Sequence, residues 1–226
     1  MAHPVPPVLV RSRGRARTPP RPRGSINTTD KEDKEEKVNA REQYAPGPAS
    51  GAQVRKDGEK WTLILNRELR HSPEKVWQAI TDPAHLREWA PFDADRNLST
   101  VGATVKLTTV GAPALHITET TVTRADAPRV LEYKWGGFDM RWELEPLGGG
   151  TRLTLWTNID RRFISMGAAG WHICFDVLDH LLSGIPIGRM VGPDAIKFGG
   201  WQRLNAEYAQ QFGVEAPASP PNAPKR

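Results

Sequence analysis

GAAGWHICFDVLDHLLSG, running from Gly167 to Gly184, is the stretch that decides the fold. Wound as a helix at about 100° per residue, Trp171, Cys174, Phe175, Val177, Leu178, Leu181 and Leu182 share one arc roughly 160° wide. His172, Asp176, Asp179, His180 and Ser183 fall opposite. The pattern predicts a helix with one side in water and the other, headed by two aromatic rings, laid against a large apolar surface.

The residues upstream supply that surface. Period-two alternation begins after Phe92 and persists through GATVKLTTV, PALHITETTVTR, RVLEYKW, FDMRWELEP and TRLTLWTNI. The connectors GG (136–137) and LGGG (147–150) are hairpin turns, so the strands form an antiparallel meander. An earlier strand, WTLILNRELR from Trp61, alternates in the same way. Between it and the meander lie two helix starts ten residues apart. Ser72 with Pro73 and Asp82 with Pro83 each combine a good N-cap with proline at the first helical position. The expected fold is α+β, with about seven strands in a curved antiparallel sheet, two short helices after the first strand and the long helix resting on the sheet. Beyond Gly184, IPIGRMVGPDAIKFGG reads as loop and WQRLNAEYAQQFG as a further helix stopped by Gly213.

Composition bounds the domain. Of 226 residues, only 38% are apolar, but all eight Trp lie between Trp61 and Gly213, and these 153 residues suffice for one core. Residues 1–60 and 214–226 are expected to be disordered tails, the first holding an Arg/Pro tract, RSRGRARTPPRPRG, and a charge block, TTDKEDKEEK. In a bacterial gene Val38 or Val54 is an alternative start, which would leave the Arg tract untranslated; an intact mass decides.

The formal charge of +5 suggests nucleic acid until it is located. Six Arg and no acid stand in residues 1–24, whereas residues 61–213 hold 16 basic against 17 acidic side chains. An Arg tract without interleaved aromatics supplies only non-specific phosphate affinity, so no specific nucleic-acid partner is expected. The prolines of TPPRP spoil the amphipathic helix that a transit peptide needs. One cysteine, Cys174, excludes an intramolecular disulfide, and no window approaches a membrane span of about 18 apolar residues. A cytoplasmic location is expected.

LNRELRHSPEKVWQAITDPAHLREW, the meander with GGGTRLTL, and GWHICFDVLDHLL together resemble the activator of heat-shock-protein-90 ATPase homologue family, within the SRPBCC (START-like, helix-grip) superfamily. The resemblance spans roughly Trp61 to Leu182, and the residues after it look like an extension, 185–213. It implies a curved sheet gripping the long helix with a cavity between them, and binding of a hydrophobic small molecule there. Two other readings stay open: an enzyme of the cyclase or hydrolase sort using that cavity, and a module that stimulates a chaperone ATPase.

If the fold holds such a cavity, Tyr133, Trp135, Phe138, Met140 and Trp142 line it from the sheet. Trp171, Phe175 and Leu178 line it from the helix, with Trp77 and Trp89 near the entrance. The bland alternative for each ring is core filling.

Candidate chemistry is sparse. His172, Asp176 and His180 have helical metal-ligand spacing, but positions i and i+8 lie about 12 Å apart along the axis, and their face is expected to be solvated. No metal is expected. Ser165, His172 and Asp176 make a triad only on paper, since no GxSxG elbow is present, and Cys174 falls on the buried arc. No catalytic residue is assigned. His116 and Glu119 lie on a strand whose inward face the pattern leaves open; an inward His116 is the first candidate acid or base. The GGG at 148–150 joins two strands and is a turn, so no nucleotide cofactor is implied.

Overall fold

In the computed structural model, residue 38 and residues 40–217 are described. Of the tails expected over 1–60 and 214–226, residues 1–37, 39 and 218–226 lie outside the described residues. No described helix is long and apolar enough to cross a membrane.

Among the described residues, nine strands form two antiparallel sheets. In the larger sheet, the order is β1 (Ala52–Asp57), β2 (Lys60–Leu69), β9 (Gly150–Asn158), β8 (Phe138–Leu147), β7 (Val130–Trp135) and β6 (Arg124–Asp126). The smaller holds β3 (Phe92–Ala94), β4 (Thr104–Thr109) and β5 (His116–Thr121). The meander thus holds for β6 to β9, and the chain's first two strands add to its far edge. The two sheets meet where the Lys134 backbone N–H donates to Thr120 Oγ1 at 3.1 Å.

Alternation sets the faces. Leu131 and Tyr133 on β7, Met140, Trp142 and Leu144 on β8, and Leu153 and Leu155 on β9 are all buried on the concave side. The convex side carries cross-strand ion pairs instead, with Arg141 between Glu132 and Glu143, and Arg152 between Glu68 and Glu145.

The two Pro-capped helices form as expected. In α1 (Pro73–Thr81), Ser72 accepts from the Lys75 N–H. Asp82 both closes α1, donating its N–H to Gln78 O, and caps α2 (Pro83–Trp89) by accepting from the Ala84 N–H at 2.8 Å. Trp89 Nε1 donates to Ala79 O at 2.9 Å and pins the corner between them.

The long helix, α3, runs from Ile164 to Leu182, starting a turn earlier than the apolar pattern suggests. It is followed by a short α4 (Pro193–Lys197) and by α5 (Gly199–Phe212), which stops at Gly213 in the left-handed conformation, φ 64°.

Two expectations need correction. First, the fold begins before Trp61: Ala52–Asp57 pairs with β2 from Ala52↔Leu65 to Asp57↔Lys60. Only Ala52 of this edge strand is fully buried, so its sequence gives almost no hydrophobic alternation. Second, the polar face of α3 is solvated only toward its C-terminal end, at Asp179 and Ser183. His172 is 2% exposed, because Tyr208 of α5 and the segment around Tyr44 and Ser50 cover that part of the face.

Candidate functional site

A cavity of about 540 Å³ lies at one end of the helix–sheet interface. The β7–β8 hairpin tip contributes Trp135 and Phe138, and the end of β9 contributes Thr157 and Ile159. From α3 and the turn before it come Phe163, Met166, Gly167, Gly170, Trp171 and Cys174. The far wall is the extension after Gly184, with Met190, Val191, Ala195, Ile196 and Trp201. The mouth lies toward Phe138, which is 42% exposed, and Ile159 and Asp160, because these three residues also line a neighbouring polar groove over Trp61 and Asn158.

The aromatic wall is held in place by chemistry outside the cavity. Trp135 Nε1 donates to Thr109 Oγ1 at 3.1 Å, tying the hairpin tip to the smaller sheet. Its ring meets Trp171 edge-on at a centroid distance of 6.2 Å and Phe138 at 6.0 Å. At the far side of the cavity, Arg189 donates to Ala90 O at 3.2 Å and to Asp93 Oδ1 at 2.8 Å, fixing the extension to the α2–β3 corner.

Of the ten residues expected to line the cavity, Trp135, Phe138 and Trp171 do so. The other seven form the core beneath it. Trp142 donates to the Tyr133 hydroxyl at 3.1 Å and packs edge-on against Trp89 at 6.0 Å, with Phe175 at 6.1 Å. Met140 Sδ accepts from Thr157 Oγ1, and Leu178 is wholly buried. Trp77 and Trp89 are buried core residues, at 8% and 0% exposure, and neither stands at an entrance. The sequence reading missed the extension's contribution. The signal was present: Ile187, Met190, Val191 and Ile196 are many apolar side chains for a surface loop.

The ionisable groups of the cavity wall are Asp160 and Cys174. Asp160 sits at the rim, where hydrogen bonds from Arg162 hold its carboxyl down at about 2. Burial pushes the Cys174 thiol up to about 12, so it stays protonated and weakly nucleophilic. His116 is exposed, on β5 outside the cavity wall, with Nε2 3.5 Å from Thr118 Oγ1. Glu119 is also exposed.

A second cluster occupies the other side of α3. Asp176 accepts from Arg67 Nη2 at 2.7 Å and from the Tyr44 hydroxyl at 2.7 Å, joining β2, α3 and the N-terminal segment. Tyr208 donates to Ser50 O at 2.8 Å, so its 2.8 Å contact with His172 Nδ1 has the imidazole as donor. The unprotonated Nε2 then lies 3.5 Å from Asp176 Oδ2. Burial lowers the His172 pKa, and burial beside Asp176 raises that of Tyr44. His180, the third residue of the proposed metal spacing, packs its ring edge-on to Tyr44 instead. Among the described residues no group of three or more His, Cys, Asp or Glu is placed to hold a metal ion. This cluster is a structural node, tying β2, α3, α5 and the N-terminal segment together.

Comparison with known proteins agrees with the architecture. No curated protein matches the chain. Among solved structures, a conserved protein of unknown function from Enterococcus faecalis superposes with a TM-score of 0.54 at 14% identity, over 81% of this chain and 98% of that one. CalU16 from Micromonospora echinospora gives 0.50 at 20% identity, over 75% and 97%. A protein from Rhodobacter sphaeroides gives 0.50 at 21% identity, over 59% and 99%. At these identities the likeness concerns the fold alone. A family model, by contrast, matches residues 70–183, from just after β2 through the whole of α3. Its match takes in the paired Pro-capped helices, strands β3 to β9 and the gripping helix, and on it the chain belongs to the family of Activator of Hsp90 ATPase homolog 1-like proteins.

Proposed function

We propose that this domain binds an uncharged, largely apolar small molecule in the cavity between the β7–β8 tip, α3 and the extension. The observation that carries the reading is the make-up of the wall. About 540 Å³ is lined by aromatic and aliphatic side chains, with one carboxylate, at the rim and already paired to Arg162. Cavities of this size and polarity suit drug-sized ligands, which bury most of their surface in them. A charged ligand would lose its hydration there without gaining a counter-ion.

The wall favours holding a molecule over transforming it. General acid–base chemistry needs a group that exchanges protons near neutral pH within reach of the substrate. Asp160 stays ionised and engaged with Arg162, and Cys174 stays protonated, each far from that range.

Titration with N-phenyl-1-naphthylamine, a neutral fluorescent probe, tests the reading. Saturable binding of one probe per chain is expected, with a Kd on the order of 10 µM for a ligand of that size. Trp135→Ala should weaken it. Absence of saturable binding to the wild-type protein would overturn the proposal.

A further inference from the structure

Glycine is a poor residue for the middle of a helix, because it gives up more backbone freedom on folding than alanine does. Gly167 and Gly170 both stand within α3 and both line the cavity. Their reasons differ. A Cβ at Gly167 would lie 2.5 Å from Ile159 Cδ1 and 3.6 Å from Leu63 Cδ2, so close packing between helix and sheet accounts for it. A Cβ at Gly170 would meet no atom within 4 Å. Packing does not require this glycine, and neither does the backbone, which is ordinary α-helix there. What the missing side chain leaves is a bare patch of helix backbone in the wall of the cavity.

A second feature of the same wall concerns hydrogen bonding. Trp171 and Trp201 are 7% and 5% exposed and both line the cavity. Among the described residues neither indole N–H has an acceptor, and neither is among the fully enclosed polar atoms left without a partner. A buried tryptophan usually finds a partner for its N–H. Trp135, by comparison, spends its own on Thr109.

Taking the cavity as a ligand site, as proposed above, we infer that Gly170 is its specificity-determining residue. A flat, uncharged ligand carrying a hydrogen-bond acceptor lies with one face directly against the α3 backbone at Gly170, its acceptor served by the N–H of Trp171 or Trp201. The width of the cavity at this point, and hence the shape of molecule it admits, is set by the side chain that is not there.

The test compares the full chain with Gly170→Ala and Gly170→Leu, using two neutral ketone probes. One, 6-propionyl-2-dimethylaminonaphthalene, is flat and rigid; the other, 2-nonanone, is slender and flexible. The alanine variant should melt at or above the wild-type temperature, since it gains helix propensity and meets no clash. Affinity for the flat probe should fall about threefold with alanine and more than about tenfold with leucine, while that for 2-nonanone stays unchanged with alanine and changes less than about threefold with leucine. Equal weakening of both probes, or a leucine variant that binds the flat probe as tightly as wild type, overturns the inference. If the leucine variant does not fold, the alanine variant carries the comparison alone. Wild-type protein that binds neither probe would refute the ligand site itself and this inference with it, a result visible before any substitution is made.

Discussion

Phe175 and Trp171 lie one helical turn apart on α3 with ring centroids 6.2 Å apart, yet they do different jobs. Trp171 reaches the cavity wall, whereas Phe175, 1% exposed, is wedged beside Trp142 in the core. The helical period places both on the apolar side and cannot separate them, because the distinction depends on where along its length the helix leaves the sheet. Phe175→Ala should therefore cost about 3–5 kcal/mol of stability, measured by urea unfolding. A loss below about 1 kcal/mol would mean that the helix does not press this ring into the core. The same limit explains why seven of the ten rings and side chains expected in the cavity proved to be core. Alternation along β7 and β8 says that Tyr133, Met140 and Trp142 point inward, but not how much of the interior is already full.

At the scale of the element, α3 is covered on its apolar side and, over His172 and Asp176, on its polar side as well. Its apolar side, its length and the strands that receive it were legible, because hydrophobic period is a local property of sequence. Burial of the opposite side was not, since it depends on α5 and on the segment around Tyr44 folding back over His172 and Asp176. Two glycines and a proline between Gly184 and Pro193 break any period there, so nothing local announces that the extension returns to the domain. This covering makes a pH-dependent prediction. His172 is buried neutral, facing Asp176 on its own helix, Arg67 from β2, Tyr44 from the N-terminal segment and Tyr208, Arg203 and Glu207 from α5. Desolvation is the largest influence on it and lowers its pKa. The unfolded chain then takes up this proton at a higher pH than the native protein does. The contribution is fully present above the unfolded histidine pKa of about 6.5 and is lost as pH falls toward the lower native value, by at most about 1.4 kcal/mol per pH unit. Urea unfolding between pH 7.5 and pH 5.5 should show this loss in the wild type and a flatter profile in His172→Gln. Parallel profiles would show that His172 is not the group responsible.

The whole molecule joins a family domain to additions at both ends. The family model covers 70–183, while β1, β2, the extension and α5 fall outside it. These additions are not peripheral. The N-terminal segment supplies Tyr44 and the Ser50 backbone to the cluster behind α3, and the extension supplies the far wall of the cavity. The α+β class and the helix-on-sheet arrangement could be read from the family-like core, where caps, hairpin turns and periods agree with one another. The site could be read only in part, because a third of its lining residues come from the extension after Gly184, most of them from a stretch with no regular period. Any change to the extension is thus a change to the cavity.

The central claim, that a neutral apolar ligand occupies this cavity, is tested most directly by the eight tryptophan indole N–H resonances in an NMR titration with N-phenyl-1-naphthylamine. Trp135, Trp171 and Trp201 line the cavity, whereas Trp61 and Trp156 carry cations on the outer surface and Trp77, Trp89 and Trp142 lie in the core. Saturable shifts of the first three are expected, with the other five unmoved. Shifts at Trp61 and Trp156 with none at Trp135, Trp171 or Trp201 would contradict it.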